Sequence, residues 1–353
     1  MIITNVQELR LYFPSHAIDS IDPYVGFIDN SEHDFLLEPL GLPLYERMCQ
    51  WYEQNQSSMS SVIDQQTGYF NRLVLLSQRC VAFDAMGRDV GLHGVSINNA
   101  GLNFAQADDY PRADDKAVQQ FRATCQKEAH ASLNRLLYTL EQWCKGESND
   151  EELQEICQLW QQSRYYYLAA GMLISSAQLM QEYLNIYDSR EKFIQMLPDL
   201  RFIQEEQIAP AIGEEFIDFM VQYAATSPVP PHPRTSDLLD KILHKLRKVA
   251  ATMMEGRTQI LKIDDRRRAQ ARDEGVLLLG RLCDMIKANQ ESIIEALGDN
   301  AAAFTTSPLY VAPVVETPQV SSRPCGEIPP CPCDNDFKNN APGSALFVTP
   351  PLL

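Results

Sequence analysis

Residues 32–48 of the chain read EHDFLLEPLGLPLYERM, and residues 204–220 read QEEQIAPAIGEEFIDFM. Each stretch places an acidic segment before a Pro/Gly corner and an apolar segment after it. Apolar residues coincide at four positions when the two glycines are aligned: Leu36 with Ile208, Leu40 with Ile212, Leu44 with Phe216, and Met48 with Met220. Their spacing of four residues predicts a helix on each side of the corner.

Further helical patterns follow each of these stretches at similar distances. One pair covers Leu76 to Met86 and Leu243 to Met254, and a second pair covers residues 117–143 and 269–288. The sequence therefore predicts an internal duplication, in which two copies of one helical unit pack together and bury a shared core. Chance recurrence of Pro/Gly corners between amphipathic helices is the alternative reading.

Helical periodicity dominates the rest of the chain. Apolar residues follow the i, i+3, i+4, i+7 rule at Leu133, Leu136, Leu137 and Leu140. The apolar stretch from Gln158 to Tyr187 predicts one helix buried on most sides, whereas the alternation from Leu92 to Phe104 predicts a loop or a small hairpin. The predicted fold is all-α, with two tandem helical-bundle units and an extended proline-rich C-terminal arm.

Prolines and polar segments divide the chain. Four prolines in seven residues make 227–233 a stiff connector, and ten of the 21 prolines fall between Pro308 and Pro351. The C-terminal segment is interpreted as an arm that is disordered alone or extended on a partner. The predicted organisation is a first helical unit, linking helices with the start of a second unit, the remainder of that unit, and a tail, over residues 1–145, 151–226, 234–300 and 305–353.

The composition indicates a soluble globular protein of 353 residues, 45% of them hydrophobic. The net charge of −17 repels phosphate backbones on average, so nucleic-acid binding requires a local basic surface. The N-terminus has no basic segment typical of a secretory signal, and no apolar run approaches the roughly 18 residues of a membrane span. We expect synthesis in a cytosol and no membrane partner.

A family resemblance rests on several motifs of the first 145 residues. They are Leu9-Arg10-Leu11-Tyr12-Phe13-Pro14, the corner from Phe35 to Tyr45, Ala82-Phe83-Asp84, the loop from Val95 to Leu102, and the helix end from Leu136 to Glu141. In these motifs the chain resembles the DUF6712 family of Bacteroides-type phages and prophages. The layout is similar to that of the helical head–tail connector (adaptor) proteins of tailed phages.

The resemblance implies a structural, non-enzymatic connector subunit that assembles as a ring next to the portal. Its partners would be other copies of the chain and the portal or other head and tail proteins of the virion, with passing contact with DNA. The protein would be made in the bacterial host cytoplasm and located in the virion. The predicted loop contacts with a neighbour are Val95, Ile97, Gly101 and Leu102.

The strongest charge anomaly lies between Lys241 and Arg272, where ten Lys or Arg residues accompany three acids. The candidate interface or DNA-facing residues in this stripe are Lys245, Arg247, Lys248, Arg266, Arg267 and Arg268. Three readings stay open: contact with DNA in a channel, docking to an acidic surface of a neighbouring subunit, and a solvated helix face. The alternative function is a soluble cytoplasmic α-helical protein that associates with DNA or regulates through this stripe.

Residues with catalytic or metal-binding chemistry form no recognisable motif. The six histidines make no HExxH pattern, and phosphate-binding loops and a GxSxG elbow are missing from the sequence. Glu32-His33-Asp34 is interpreted as a solvated helical turn, Tyr165-Tyr166-Tyr167 as core or interface, and the thiols of Cys325, Cys331 and Cys333 as incidental. We expect no cofactor, no metal and no enzymatic activity.

Overall fold

The computed structural model describes residues 1–13, 18–59, 61, 67–89, 95–98, 101–104, 115–146, 149–167, 171–226 and 237–312. These residues are mostly helical, which confirms the all-α prediction. The residues from Met1 to Tyr310 form one compact unit. Cys325, Cys331 and Cys333, with most of the predicted arm, lie outside the described residues.

The compact unit contains two hydrophobic cores. One runs from Ile2 to Trp160 and defines the N-terminal half, and the other runs from Tyr167 to Leu309 and defines the C-terminal half. Ile156 and Trp160, from the start of the predicted linking segment 151–226, belong to the first core. Ser307 and Leu309 are buried, so the folded body extends five residues beyond the predicted start of the tail at Thr305.

The N-terminal half consists of helices around a long central helix, α5. Its elements are α1 (Val6–Tyr12), a 3-10 turn (Asp22–Tyr24), α2 (Val25–Ser31), a π-helical turn (Glu32–Leu36), α3 (Leu37–Leu40), α4 (Leu42–Asn55), α5 (Tyr69–Asp89), strands β1 (Val95–Asn98) and β2 (Gly101–Phe104), α6 (Asp115–Lys145) and α7 (Glu151–Trp160). Helix α5 is buried along most of its length because helices surround it on several sides.

The C-terminal half is built around α12 and α13. Its elements are α8 (Ala177–Tyr183), α9 (Arg190–Ile203), a π-helical turn (Gln204–Ile208), α10 (Ala209–Ile212), α11 (Glu214–Thr226), α12 (Leu238–Arg257), α13 (Asp265–Ala288), α14 (Gln290–Leu297), a 3-10 turn (Gly298–Asn300) and α15 (Ala302–Thr305). The prediction of one long helix from Gln158 to Tyr187 is wrong. Ser163 turns the chain back onto the Gly41 corner, and the Ser176 side chain caps the start of α8.

A serine fastens the corner at Gly41. Gly41 has a φ of 78°, a left-handed conformation that favours glycine, and a Cβ there would lie 3.1 Å from the Cα of Ser163. The Ser163 hydroxyl donates to the Pro39 carbonyl at 2.9 Å and accepts from the Tyr165 amide at 3.0 Å. The buried Trp160 indole also donates to the Pro39 carbonyl. The corner is thus held by a short segment that follows α7.

The Gly213 corner has the same construction. Gly213 has a φ of 117°, and a Cβ there would lie 3.0 Å from the Cα of Ser307. The Ser307 hydroxyl donates to the Ile212 carbonyl and accepts from the Leu309 amide. Phe304, three residues before Ser307, is buried as Trp160 is. In both halves a serine after the last helix closes against a left-handed glycine.

A π-helical turn precedes each corner and presents a side chain to the start of its half. Oε1 of Glu32 accepts from the Ile2 amide at 2.7 Å, and Oε1 of Gln204 accepts from the Leu173 amide at 2.9 Å. These two residues coincide when Gly41 is aligned with Gly213. The first apolar residues of each half are thereby anchored beside its π-helical turn.

Candidate interaction surfaces

The two halves meet where α6 contacts the beginning of α9. Nε of Arg190 donates to Oε2 of Glu141 at 2.9 Å, and both side chains are almost fully buried. The Arg190 amide donates to Oδ1 of Asn134 at 2.9 Å, and the Arg190 guanidinium lies 4.6 Å from the ring centre of Tyr138. The Tyr167 hydroxyl donates to Glu141 at 2.6 Å. We call this cluster the joint.

The charge on Glu141 is stabilised by its neighbours. Burial raises the pKa of this carboxyl group, but the hydrogen bonds from Lys145 and Tyr167 and the charges of Lys145 and Arg190 outweigh burial and lower the pKa below its usual value. Because the folded pKa is lowered, the joint contributes stability above the usual carboxyl pKa and loses it as the pH falls through the folded value.

A second contact across the joint lies nearer the surface. Nδ1 of His130 on α6 and Oε2 of Glu191 on α9 are 2.8 Å apart. The hydrogen bond that His130 donates to Glu191 raises the pKa of His130 above its usual value, against the opposing effect of burial. Residues at four positions along one stripe of α6 therefore face the C-terminal half: His130, Asn134, Tyr138 and Glu141.

Arg247 does not face a partner. Its side chain is 4% exposed, and its Nε donates to the Leu173 carbonyl at 2.8 Å. The prediction that Arg247 contacts DNA or a neighbouring subunit is therefore wrong. Gln78 of α5 occupies the matching place in the N-terminal half, where its Nε2 donates to the Ile2 carbonyl at 2.6 Å.

Arg268 and Arg267 are also engaged within the protein. Arg268 is 8% exposed, and it donates to the carbonyls of Thr258 and Ile263 and pairs with Asp265, so the prediction that it faces a partner is wrong. Arg267 is partly exposed, but it forms two hydrogen bonds of 2.7 Å with Glu255. Arg267 and Arg268 thus hold the connection between α12 and α13 in place.

Only part of the basic stripe remains at the surface. Lys245 and Lys248 are exposed on α12 together with Lys241, and Arg266 is exposed at the start of α13. The three lysines follow a spacing of four and three residues, which places them on one face of the helix. Of the predicted contact residues, Lys245, Lys248 and Arg266 are exposed, and their contact with DNA or protein stays a prediction.

The Glu32-His33-Asp34 turn is only partly solvated. His33 and Asp34 are exposed, but Glu32 is 2% exposed and accepts a hydrogen bond from the Tyr45 hydroxyl at 2.6 Å. The interpretation of the whole turn as solvated is wrong for Glu32, which the π-helical turn directs inward. Over the described ranges, no group of three His, Cys, Asp or Glu residues has the arrangement needed to hold a metal ion.

The segment from Leu92 to Phe104 contains a hairpin, as predicted. Strand β1 pairs antiparallel with β2, and the pairs include Val95 with Phe104 and Ile97 with Leu102. The side chains of Val95, Ile97, Gly101 and Leu102 lie outside the described part of the structure. Their contact with a neighbouring subunit stays a prediction.

An apolar surface on α13 was missed by the sequence interpretation. Val276 is 67% exposed and Leu277 is 54% exposed, although Leu282 and Ile286 of the same helix are buried. A groove of about 430 Å³ lies beside Val276 and is lined also by Met253 and Arg272. Four successive apolar residues from Val276 to Leu279 were the available signal, because one face of a helix cannot hold all four.

The joint itself carried no recognisable motif. Glu141, Arg190 and Tyr167 are far apart in sequence, and each is ordinary in its own segment.

Comparison of the chain with models of known families, with curated proteins and with solved structures gives no match. No helix in the described ranges combines the length and the apolar character needed to cross a membrane.

Proposed function

We propose that this protein is a structural, non-enzymatic head–tail connector (adaptor) subunit of a tailed phage or prophage particle, which assembles as a ring next to the portal. The proposal combines the resemblance to the DUF6712 family with the organisation of the chain. The observation that carries it furthest is the repeated set of internal contacts in the two halves, because a chain made of similar packing units is suited to assembly.

The proposal includes a duplication of one helical unit. It is supported by similar hydrogen bonds as well as by sequence similarity. Glu32 and Gln204 accept from backbone amides near the start of their halves, and Ser163 and Ser307 donate to backbone carbonyls at the two corners. Two further helices also match, since α1 and α8 each contain seven residues and are capped by Asn5 and Ser176.

Side-chain contacts support a register between α5 and α12 in the proposed duplication. Gln78 matches Arg247, because each donates to the first residues of its half, and Gly87 matches Gly256, because each allows close approach of the next long helix. This register differs by one residue from the pairing of Val81-Ala82 with Val249-Ala250 that the apolar pattern suggests. The hydrogen-bonded residues define this register better than the apolar residues do, because apolar residues occur at several successive positions of α12.

Buried polar groups support a structural role. Glu32, Glu141 and Arg190 each hold two elements together through hydrogen bonds. In the proposed particle the proline-rich arm would bind along another virion protein and gain affinity by ordering on a preformed surface. The hairpin would contact a neighbouring subunit.

The test is a mass measurement of the purified chain, alone and mixed with a candidate portal protein, at low and moderate salt. We expect an oligomer or a stable complex with the portal. A chain that stays monomeric and binds neither the portal nor another head or tail protein contradicts the proposal. Location of the gene between capsid and tail genes would be an independent supporting observation.

The second candidate is a DNA-associated protein, and the observation that favours it is the exposed lysine row Lys241, Lys245 and Lys248. Binding through these lysines would weaken steeply with salt, with a slope that falls by about one for each phosphate contact removed. A filter-binding titration of duplex DNA with the wild type and the Lys245→Gln/Lys248→Gln variant separates the two functions. A monomer with salt-sensitive binding that this variant lacks favours the DNA-associated protein.

A further inference from the structure

The joint has a counterpart that the described residues leave uncovered. Helices α6 and α13 follow α5 and α12 in their respective halves, and each packs closely against its predecessor. Buried residues repeat with the same spacing along both: Cys125, Ala129, Leu136 and Leu140 on α6, and Ala271, Gly275, Leu282 and Ile286 on α13. The α6 stripe that faces α9 therefore corresponds to Val276, Gly280, Asp284 and Lys287 on α13.

These positions of α13 are open in the described structure. Val276 and its neighbour Leu277 are mostly exposed, and a Cβ added at Gly280 would meet no atom within 4 Å. In the N-terminal half the corresponding stripe is contacted by the start of α9. The C-terminal half has no described segment after it that takes the place of α9.

The chain contains the matching partner surface at its other end. With Gly41 aligned to Gly213, the start of α9 corresponds to residues 18–25 of the N-terminal half. Asp19 takes the position of Glu191, which contacts α6 in the joint, and Asp22 takes the position of Ile194, which packs against both cores. Asp19 and Asp22 are exposed, and Val25 at the start of α2 is 37% exposed.

The chemistry of the two open surfaces is complementary. Residues 18–30 contain three acids and no Lys or Arg, whereas residues 276–287 of α13 carry two exposed cations, Arg281 and Lys287, and one exposed acid, Asp284. Leu277 and Val276 offer apolar area to Val25, and the two cations offer charge to Asp19 and Asp22. Removal of such apolar area from water favours association.

We propose that a second copy of this chain docks residues 18–25 of its N-terminal half against the α13 surface formed by Val276, Leu277, Gly280, Arg281 and Lys287. The contact between copies then continues the contact between the halves. It is heterologous, because two different surfaces meet, so repetition produces a ring or an open filament. The inference deepens the proposed connector function and rests on it only for closure into a ring.

Two variants, each altered on one surface, test the proposal. Leu277→Asp places an unpaired charge on α13, and Asp22→Lys/Val25→Lys reverses charge and removes apolar area on the other surface. All three side chains are partly or mostly exposed, so the fold of each subunit should be retained. Leu42→Asp is the matched control, because Leu42 is an exposed leucine (55%) at the Gly41 corner, outside both surfaces.

Sedimentation velocity of the full chain over a range of concentrations provides the measurement. We expect the wild type and Leu42→Asp to associate beyond the dimer, and each of the two surface variants alone to associate about 100-fold more weakly, since an unpaired charge in an interface costs several kcal/mol. A mixture of the two variants should form dimers and nothing larger, because each retains the surface that the other lacks.

Other outcomes overturn the proposal. A wild type that is monomeric throughout, or a Leu277→Asp variant that associates as the wild type does, removes α13 from any self-contact. Full association of Asp22→Lys/Val25→Lys, or a mixture that remains monomeric, indicates a symmetric contact or another partner surface. Head-to-tail association without binding to head or tail proteins would leave this inference standing while refuting the connector function.

Discussion

The N-terminal and C-terminal halves of the protein have similar corners, at Gly41 and Gly213. They differ in the residues that cover their last long helices, α6 and α13. In the N-terminal half, α6 is contacted by α9 through a buried ion pair, whereas α13 of the C-terminal half carries exposed Val276 and an open Gly280. Similar internal contacts are thus compatible with different outer surfaces. The residues that pack inside each half are different from the residues that form its outer surface.

The connections between helices also differ. Residues 90–114, which include the β1–β2 hairpin, join α5 to α6, whereas the much shorter segment 258–264 joins α12 to α13. In the shorter connection, Arg268 donates to the carbonyls of Thr258 and Ile263. The short connection is therefore fixed by a buried arginine, while the longer one contains the paired strands β1 and β2.

The largest expected effect comes from breaking the joint. Glu141→Ala leaves the buried Arg190 guanidinium without its carboxylate, so we expect a loss of about 3–5 kcal/mol in the free energy of unfolding, measured by urea denaturation. Asp199→Ala is the control, because it removes an exposed partner of Arg257 within the C-terminal half and should cost about 1 kcal/mol or less. Equal losses for the two variants would contradict a special role for the joint.

An oxidation experiment compares the cysteines of the two halves, beginning with Cys144 at the end of α6. The Sγ atoms of Cys144 and Cys157 lie 2.6 Å apart, and a hydrogen bond from Cys144 lowers the pKa of Cys157. Oxidised glutathione should take up two electrons and two protons from these thiols and leave a disulfide that stabilises the folded protein by about 3 kcal/mol. Peptide mapping and urea denaturation before and after reduction measure both effects.

Cys144→Ser is the control for this oxidation, since it removes one of the two sulfur atoms. Cys283, on α13 of the C-terminal half, should remain reduced under the same treatment because its described sulfur contact is with the Ala211 carbonyl. A disulfide that includes Cys283 would show that the described arrangement of the cysteines is not the one in solution.

The two corners are expected to respond alike to alanine. Gly41→Ala and Gly213→Ala each impose a left-handed conformation on a residue with a Cβ and press it against a serine, so each should lower the free energy of unfolding by about 1–3 kcal/mol. Gly26→Ala is the control: it lies within α2 with no atom within 4 Å of the added Cβ, and it should stabilise by about 0.5–1 kcal/mol. A marked difference between the two corner variants would argue against equivalent construction.

The smallest effect concerns two histidines. The hydrogen bond that His130 donates to Glu191 raises the pKa of His130, whereas burial and nearby Lys248 lower the pKa of His244. NMR titration should therefore show His130 titrating at higher pH than His244, and Glu191→Gln should lower the pKa of His130. The His130 contact contributes stability below pH about 6.5 and loses it as the pH rises through the raised pKa. A reversed order of the two titrations would contradict the described contacts.

Local patterns predicted the all-α fold, the corners and the hairpin. Apolar spacing and Pro/Gly residues act within a few positions of the chain, so the helices beside Gly41 and Gly213 were readable without knowledge of the rest. The apolar stretch from Gln158 to Tyr187 was misread because its residues are buried by different elements. A high proportion of apolar residues in a stretch indicates that it is buried. It does not by itself indicate one continuous helix.

Contacts between distant residues were beyond the sequence. Nothing local indicates that Arg190 meets Glu141, because the pairing arises only when α6 and α9 pack. The burial of Arg247 did leave a signal, since Leu243, Arg247 and Met254 follow the apolar spacing of α12. The basic stripe was judged by its count of charges, whereas helical position decides which charges reach water.

The π-helical turns restrict how the two halves can change in length. A π-helical turn contains about one residue more than an α-helical turn, so loss of a single residue between Glu32 and Leu36 would rotate the following residues by roughly 100°. Gly41 would then no longer face Ser163, and Glu32 would no longer reach Ile2. Insertions and deletions should consequently accumulate in the connections after α5 and α11 in related chains, while the distance from each π-helical turn to its glycine stays constant.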